Sequence, residues 1–114
     1  MTSTYDEPEI EQDIQARGLT APRITPATLD EKIIDEQYHV FPGTTTTVCC
    51  LTLANGFTVV GQSAAVSPAN FDAEIGRKVA RADARDKMWP LEGYLLRERL
   101  HESALNNDYG GTAQ

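Results

Sequence analysis

The sequence predicts an α+β fold: one helix, a β-hairpin, then two further helices, flanked by chain tails. Three observations carry that expectation. Asn55-Gly56 separates two runs rich in β-branched residues, Thr44–Leu53 and Phe57–Gly61, the strongest short-range sign of a hairpin. Thr25-Pro26 and Ser67-Pro68 each set a capping hydroxyl ahead of a proline suited to the first helical position. From Ala69 to Leu100 apolar residues recur at helical spacing, broken once by Trp89-Pro90.

Residues 1–22 carry Asp6, Glu7, Glu9, Glu11 and Asp13 against Arg17 alone. Low hydrophobicity with one sign of charge predicts a disordered acidic tail, with Ile10 and Ile14 adding at most one weak helical turn. The folded domain is expected over 23–104. Residues 105–114, with Gly110-Gly111, read as a second disordered tail.

Within the domain, the first helix is expected over 26–38. Leu29, Ile33 and Ile34 form its buried stripe, which Tyr38 extends, while Asp30, Glu31, Lys32, Asp35 and Glu36 face water. Strands are expected near 46–53 and 57–63. A two-residue loop at Asn55-Gly56 would set Leu51 against Val60, Thr52 against Val59 and Cys50 against Gly61. Both faces of that hairpin are partly apolar, so it needs cover on both sides, or a partner edge, since a lone hairpin is marginal.

A helix over 69–88 follows, with Phe71, Ile75, Val79 and Ala82 on one face. Arg77, Arg81 and Arg85 repeat at steps of four and flank that face, at about 100° per residue. A last helix over 91–102 joins Leu91, Tyr94 and Leu95 with Leu96 and Leu100 in a wide stripe. Gly76 and Gly93 each cost about 1 kcal/mol relative to alanine in a helix. For Gly93 close packing under Trp89 or Tyr94 is the expected reason.

Charge and composition exclude several functions. A net charge of −7 disfavours DNA and anionic membranes. Apolar runs are short and no basic-then-apolar leader opens the chain, so neither a membrane span nor a secretory signal is expected. A cytoplasmic setting follows. Cys49 and Cys50 are adjacent and point to opposite faces of a strand, which opposes a shared metal site or an unstrained disulfide. His39 and His101 lack zinc-ligand spacing. No phosphate loop or nucleophile elbow is present. Neither an enzyme, a cofactor nor a metal is expected.

Five segments nevertheless form a pattern: Ile24-Thr25-Pro26, Asn55-Gly56-Phe57-Thr58-Val59, Ser67-Pro68-Ala69-Asn70-Phe71-Asp72, Glu74-Ile75-Gly76-Arg77-Lys78, and Trp89-Pro90-Leu91-Glu92-Gly93-Tyr94-Leu95-Leu96. Together they resemble the family of small tailed-bacteriophage proteins named after gene forty-nine of coliphage N-four, over about residues 23–100. The resemblance implies a phage accessory protein working in the host cytoplasm. It brings no catalytic residues with it.

Two functions compete. In the first, a non-catalytic binder counteracts host defence by sequestering an anionic nucleotide signal. Arg77, Arg81 and Arg85 would supply planar forks for phosphate, Asn70 and Tyr94 directional hydrogen bonds, and Trp89 a stacking face. In the second, an interaction module binds a host or phage protein and alters its activity. The arginines on one stripe repel one another, so without a ligand they need carboxylates from elsewhere, such as Asp30, Glu31 or Glu92. A folded core of about 80 residues is small, so a homo-oligomer is expected, most simply a dimer through the hairpin edge or the C-terminal helices.

Overall fold

The computed structural model describes residues 7–19 and 21–113, with side chains as far as residue 106. Three strands, β1 (Ile33–Val40), β2 (Thr46–Leu53) and β3 (Thr58–Ala64), form one antiparallel sheet with β2 in the middle. Helices α1 (Glu7–Ala16) and α2 (Pro26–Lys32) precede it. A 3₁₀ turn at Pro68–Asn70, then α3 (Ala73–Asp86) and α4 (Met88–Ala113), follow. The class is α+β, as expected.

The first correction concerns the expected helix over 26–38. It opens as read, with Thr25 Oγ1 accepting from the Thr28 backbone N–H at 3.2 Å and Pro26 in its first turn. It stops at Lys32, and Ile33–Val40 is a strand. Pairing decides the matter. The hairpin alone would leave the β2 edge open, and β1 closes it from Val40↔Thr47 to Ile33↔Leu53, with one irregularity between Ile33 and Asp35. Tertiary hydrogen bonding thereby overrides the second half of the helical pattern read over 26–38. Tyr38, opposite Cys49, still reaches the core, whereas Ile34 is left 63% exposed.

The second correction is the hairpin register. The Gly56 N–H donates to the Leu53 carbonyl at 2.8 Å and the Leu53 N–H to Phe57, which makes a three-residue loop. Gly56 alone takes positive φ (90°), and the Asn55 side chain accepts from the Phe57 N–H. Leu51 therefore faces Val59, Cys50 faces Val60 and Cys49 faces Gly61. Compared with the two-residue loop, every β3 side chain has changed sides. Leu51, Leu53 and Val59 now share the helix-covered face, and Val60 lies 45% exposed on the other. Cys49 is buried and Cys50 half-buried, both free, on opposite faces as expected.

The third correction is the buried face of α3. Gly76, Ala80 and Ala84, not the bulkier Phe71, Ile75 and Val79, lie against the sheet. Ala80 and Ala84 are fully buried, while Ile75 is 60% exposed. Close approach explains the choice. A Cβ on Gly61 would fall within 2.3 Å of the Ala80 carbonyl and the Ala84 nitrogen, and one on Gly76 within 2.8 Å of Thr47 Oγ1. Small residues on both elements let α3 settle directly on β2 and β3. Leu29, Cys49, Leu51, Leu53, Val59 and Met88 complete the core.

The ends of α3 also shift. Ser67-Pro68 opens only the 3₁₀ turn, with no side-chain cap, and Asp72 caps α3 by accepting from the Ile75 N–H at 3.0 Å. The chain breaks at Lys87 instead of Trp89-Pro90, so Pro90 sits in the first turn of α4, where its missing N–H costs nothing. A Cβ on Gly93 would meet nothing within 4 Å, so close packing does not account for that glycine. Helix α1 lies within 7–19, and α4 runs on to Ala113. The disorder expected of residues 1–6, 20 and 114 lies outside the described residues. Among the described residues no helix is long and apolar enough to cross a membrane.

Candidate functional site

The apolar stripe of α3, displaced from the core, lines a groove instead. Phe71, Ile75 and Val79 form one wall and Ser63 and Ala64 at the end of β3, with Ala65 just beyond, the other, around about 540 Å³. Asn70, Asp72 and Thr46 also line it. Ser63 donates to the Gly76 carbonyl at 2.7 Å and Thr45 to the Ala65 carbonyl at 2.6 Å, so the walls are pinned. Beneath Gly76, Thr47 is fully buried and its hydroxyl has no hydrogen-bond partner.

The β3 edge beside this groove is closed along half its length. Asp83 accepts from the Gln62 N–H at 2.9 Å, and Lys87 donates to the Val60 carbonyl. The bonds to Val60 and Gln62 show that these residues turn their backbone groups away from β2, and the alternation of an antiparallel ladder extends this to Ala64. The outward backbone at Ala64 lies beyond those two caps and borders the groove. An apolar wall beside a short open strand edge suits an extended peptide segment.

The arginine stripe lies on another side of α3. Arg81 Nε meets Glu36 at 2.9 Å. Arg85 binds Asp30 through Nε at 2.9 Å, both oxygens of Glu7 through Nη1, and the Pro26 carbonyl through Nη2 at 3.2 Å. Its side chain is only 13% exposed. Arg77 is exposed and, among the described residues, holds no ion pair. Glu36 is held below the ordinary carboxylate value, first by the Tyr38 hydroxyl at 2.7 Å and then by Arg81. Burial and that same hydrogen bond push Tyr38 up. The hollow beside Arg81 and Arg85 also contains Lys78 with Glu7, Asp30 and Asp86, so three cations face three carboxylates there.

The six residues expected to form one site are thus dispersed. Asn70 borders the α3–β3 groove, Arg81 and Arg85 a second hollow, and Trp89 a third with Ile10, Ile14 and Ile24. Tyr94 is 73% exposed on α4. The expected carboxylate partner Asp30 does meet Arg85, whereas Glu92 is buried against Lys32 at 3.0 Å. Sequence reasoning missed Phe71, Ile75 and Val79 as groove walls. The signal was available in Gly76, Ala80 and Ala84, a small-residue stripe at the same spacing. No group of three or more potential metal ligands occurs among the described residues.

A family model described as the phage protein (N4 Gp49/phage Sf6 gene 66) family matches residues 24–100. No curated protein and no solved structure matches the chain.

Proposed function

Since the chain belongs to the phage protein (N4 Gp49/phage Sf6 gene 66) family, we propose that it is a non-catalytic accessory protein that grips another protein in the host cytoplasm. The observation that carries this reading is the apolar wall of Phe71, Ile75 and Val79 left open beside the β3 edge, with Ile75 60% exposed. Its target is a host or phage protein, host-defence factors included, engaged through an extended apolar segment. Val60 and Gln62 are already occupied, so only a short stretch of β pairing is available, and side-chain contacts supply most of the affinity.

Sequestration of an anionic nucleotide is the competing reading. It rests on Arg77, the stripe arginine left unpaired among the described residues, because Arg85 is committed through all three nitrogens to Asp30, Glu7 and Pro26, and Arg81 holds Glu36 through Nε. At Arg85 an anion would first have to displace Glu7 or Asp30.

The proposal includes self-association. Residues 97–106 of α4 are exposed throughout, among them Leu100 at 38% and Leu105 at 43%. That half of α4 is better suited to pairing with a second copy than the capped β3 edge.

The test places a photo-crosslinking residue at position 75 and, as control, at position 77 of the protein in infected cells. A discrete protein adduct from position 75 alone is the expected result. An adduct from neither position, with a nucleotide retained in native mass spectrometry, would overturn this reading in favour of sequestration.

A further inference from the structure

Helix α1 roofs an apolar hollow of about 510 Å³. Its floor comprises Ile24, Pro26, Asp86 and Trp89, and its roof Ile10 and Ile14. The floor falls inside the segment matched by the family model and the roof falls outside it. The roof is lightly attached. No residue of α1 is buried, Ile10 is 40% exposed, and space remains beneath the helix. A ten-residue helix does not persist in water without such a surface.

Two guanidinium groups hold α1 in place, Arg23 at the rim of this hollow and Arg85 in the adjoining one. Arg23 makes paired hydrogen bonds to Glu11 at 2.9 and 2.6 Å, and Arg85 reaches Glu7 at 2.9 Å. Glu7 and Glu11 are one helical turn apart, as are Ile10 and Ile14, so acids and aliphatics lie side by side on the face turned to the body. The surface thereby specifies its occupant: two anionic side chains for the arginines and two aliphatic ones for the hollow, all on one helical stripe.

We propose that the Ile24–Trp89 floor, with Arg23 at its rim and Arg85 beside it, is a docking site for an acidic amphipathic helix of a partner protein, and that α1 is the chain's own competitor for it. Helix-in-groove recognition uses this anchor spacing. A short tether keeps α1 at high effective concentration over the floor, so a partner binds only when it outcompetes the resident helix. This surface is separate from the α3–β3 groove, and either can fail without the other.

Trp89 is the only tryptophan and lies in the hollow, so its fluorescence reads occupancy in the full-length chain. The probe is a synthetic peptide of residues 7–16, held helical by a staple joining the exposed positions 12 and 16. It is titrated into the parent protein, into the double variant Glu7→Lys/Glu11→Lys, and into Ile10→Ser/Ile14→Ser. Both variants should melt cooperatively, show red-shifted Trp89 emission, and recover the parent emission on adding peptide. Their affinity should exceed the parent's by about tenfold or more, the tethered competitor having been removed. A peptide carrying lysine at positions 7 and 11 should not bind. Equal affinity for parent and variants, no binding to the variants, or loss of cooperative melting in both would overturn the proposal. The last result would make α1 an integral part of the fold.

Discussion

At the scale of single residues, Arg77 and Arg85 share a stripe and differ in every other respect. Arg85 joins α1, α2 and α3 through Glu7, Asp30 and Pro26. Removing it in Arg85→Ala should cost about 2 kcal/mol, the range for hydrogen bonds to charged groups with most solvent excluded. Arg77→Ala should change stability by no more than about 0.5 kcal/mol, since exposed positions rarely matter more. Thermal melts of the two variants measure the contrast, and equal effects would mean the Arg85 pairs are not formed. Gly93 offers a test of opposite sign. Open space surrounds its missing Cβ and its helix is regular. Gly93→Ala should therefore stabilise by about 1 kcal/mol, raising Tm by about 4–8 °C for a domain of this size.

At the scale of elements, α3 lies on the sheet as closely as backbone permits. Gly61→Ala would drive a methyl into the Ala80–Ala84 backbone, which a side-chain rotation cannot relieve. A loss of about 3 kcal/mol or more is expected, seen as a large drop in urea midpoint, whereas Gly76→Ala meets only the Thr47 hydroxyl and should be milder. These contacts also explain what sequence could and could not convey. Capping signals at Thr25-Pro26 and the turn at Asn55-Gly56 are local chemistry, and both were legible. The identity of β1 was not, because Ile33, Ile34 and Tyr38 satisfy a helical period and a strand equally, and the free edge of β2 decides between them. Loop length at Asn55-Gly56 was likewise hidden: a single residue of slip reassigns Val59 and Val60 between faces. The candidate groove was obscured by size. Phe71, Ile75 and Val79 look like core because bulk usually is, yet a sheet carrying Gly61 selects the small face of the helix.

At the scale of the whole molecule, acid should detach α1 before it unfolds the body. Paired hydrogen bonds from Arg23, with help from Gln15, hold the Glu11 carboxyl at about 2 against an ordinary 4.5. A depressed carboxyl contributes stability above its ordinary value and loses it as pH falls through the folded one, so this tether weakens between about pH 4.5 and 2. Asp86, beneath the helix, runs the other way. Burial and then Glu7 push it up, so the penalty it carries while ionised is relieved at a higher pH than for an ordinary aspartate. Trp89 emission should hold steady or shift blue as pH first falls from neutrality, then shift red below about pH 4.5. A red shift already at the first step would contradict these assignments. Size can be examined in the same samples. Light scattering should give a mass above 12.5 kDa for the parent chain and a monomer for Leu100→Glu/Leu105→Glu, if the outer half of α4 holds the copies together. A parent mass of one chain at micromolar concentration would rule out the self-association.

The Asn55-Gly56 turn sets how the molecule ages. Asparagine followed by glycine is the pair most prone to deamidation, because the next backbone nitrogen can swing onto the carboxamide carbon. Here that nitrogen is committed to the Leu53 carbonyl at 2.8 Å, and the carboxamide oxygen accepts from the Phe57 N–H at 3.0 Å. The three-residue loop that fixes the strand register therefore also withholds the attacking atom. A chain slipped into the two-residue register would lose that protection, so isoaspartate at position 55 would mark the molecules that had folded out of register.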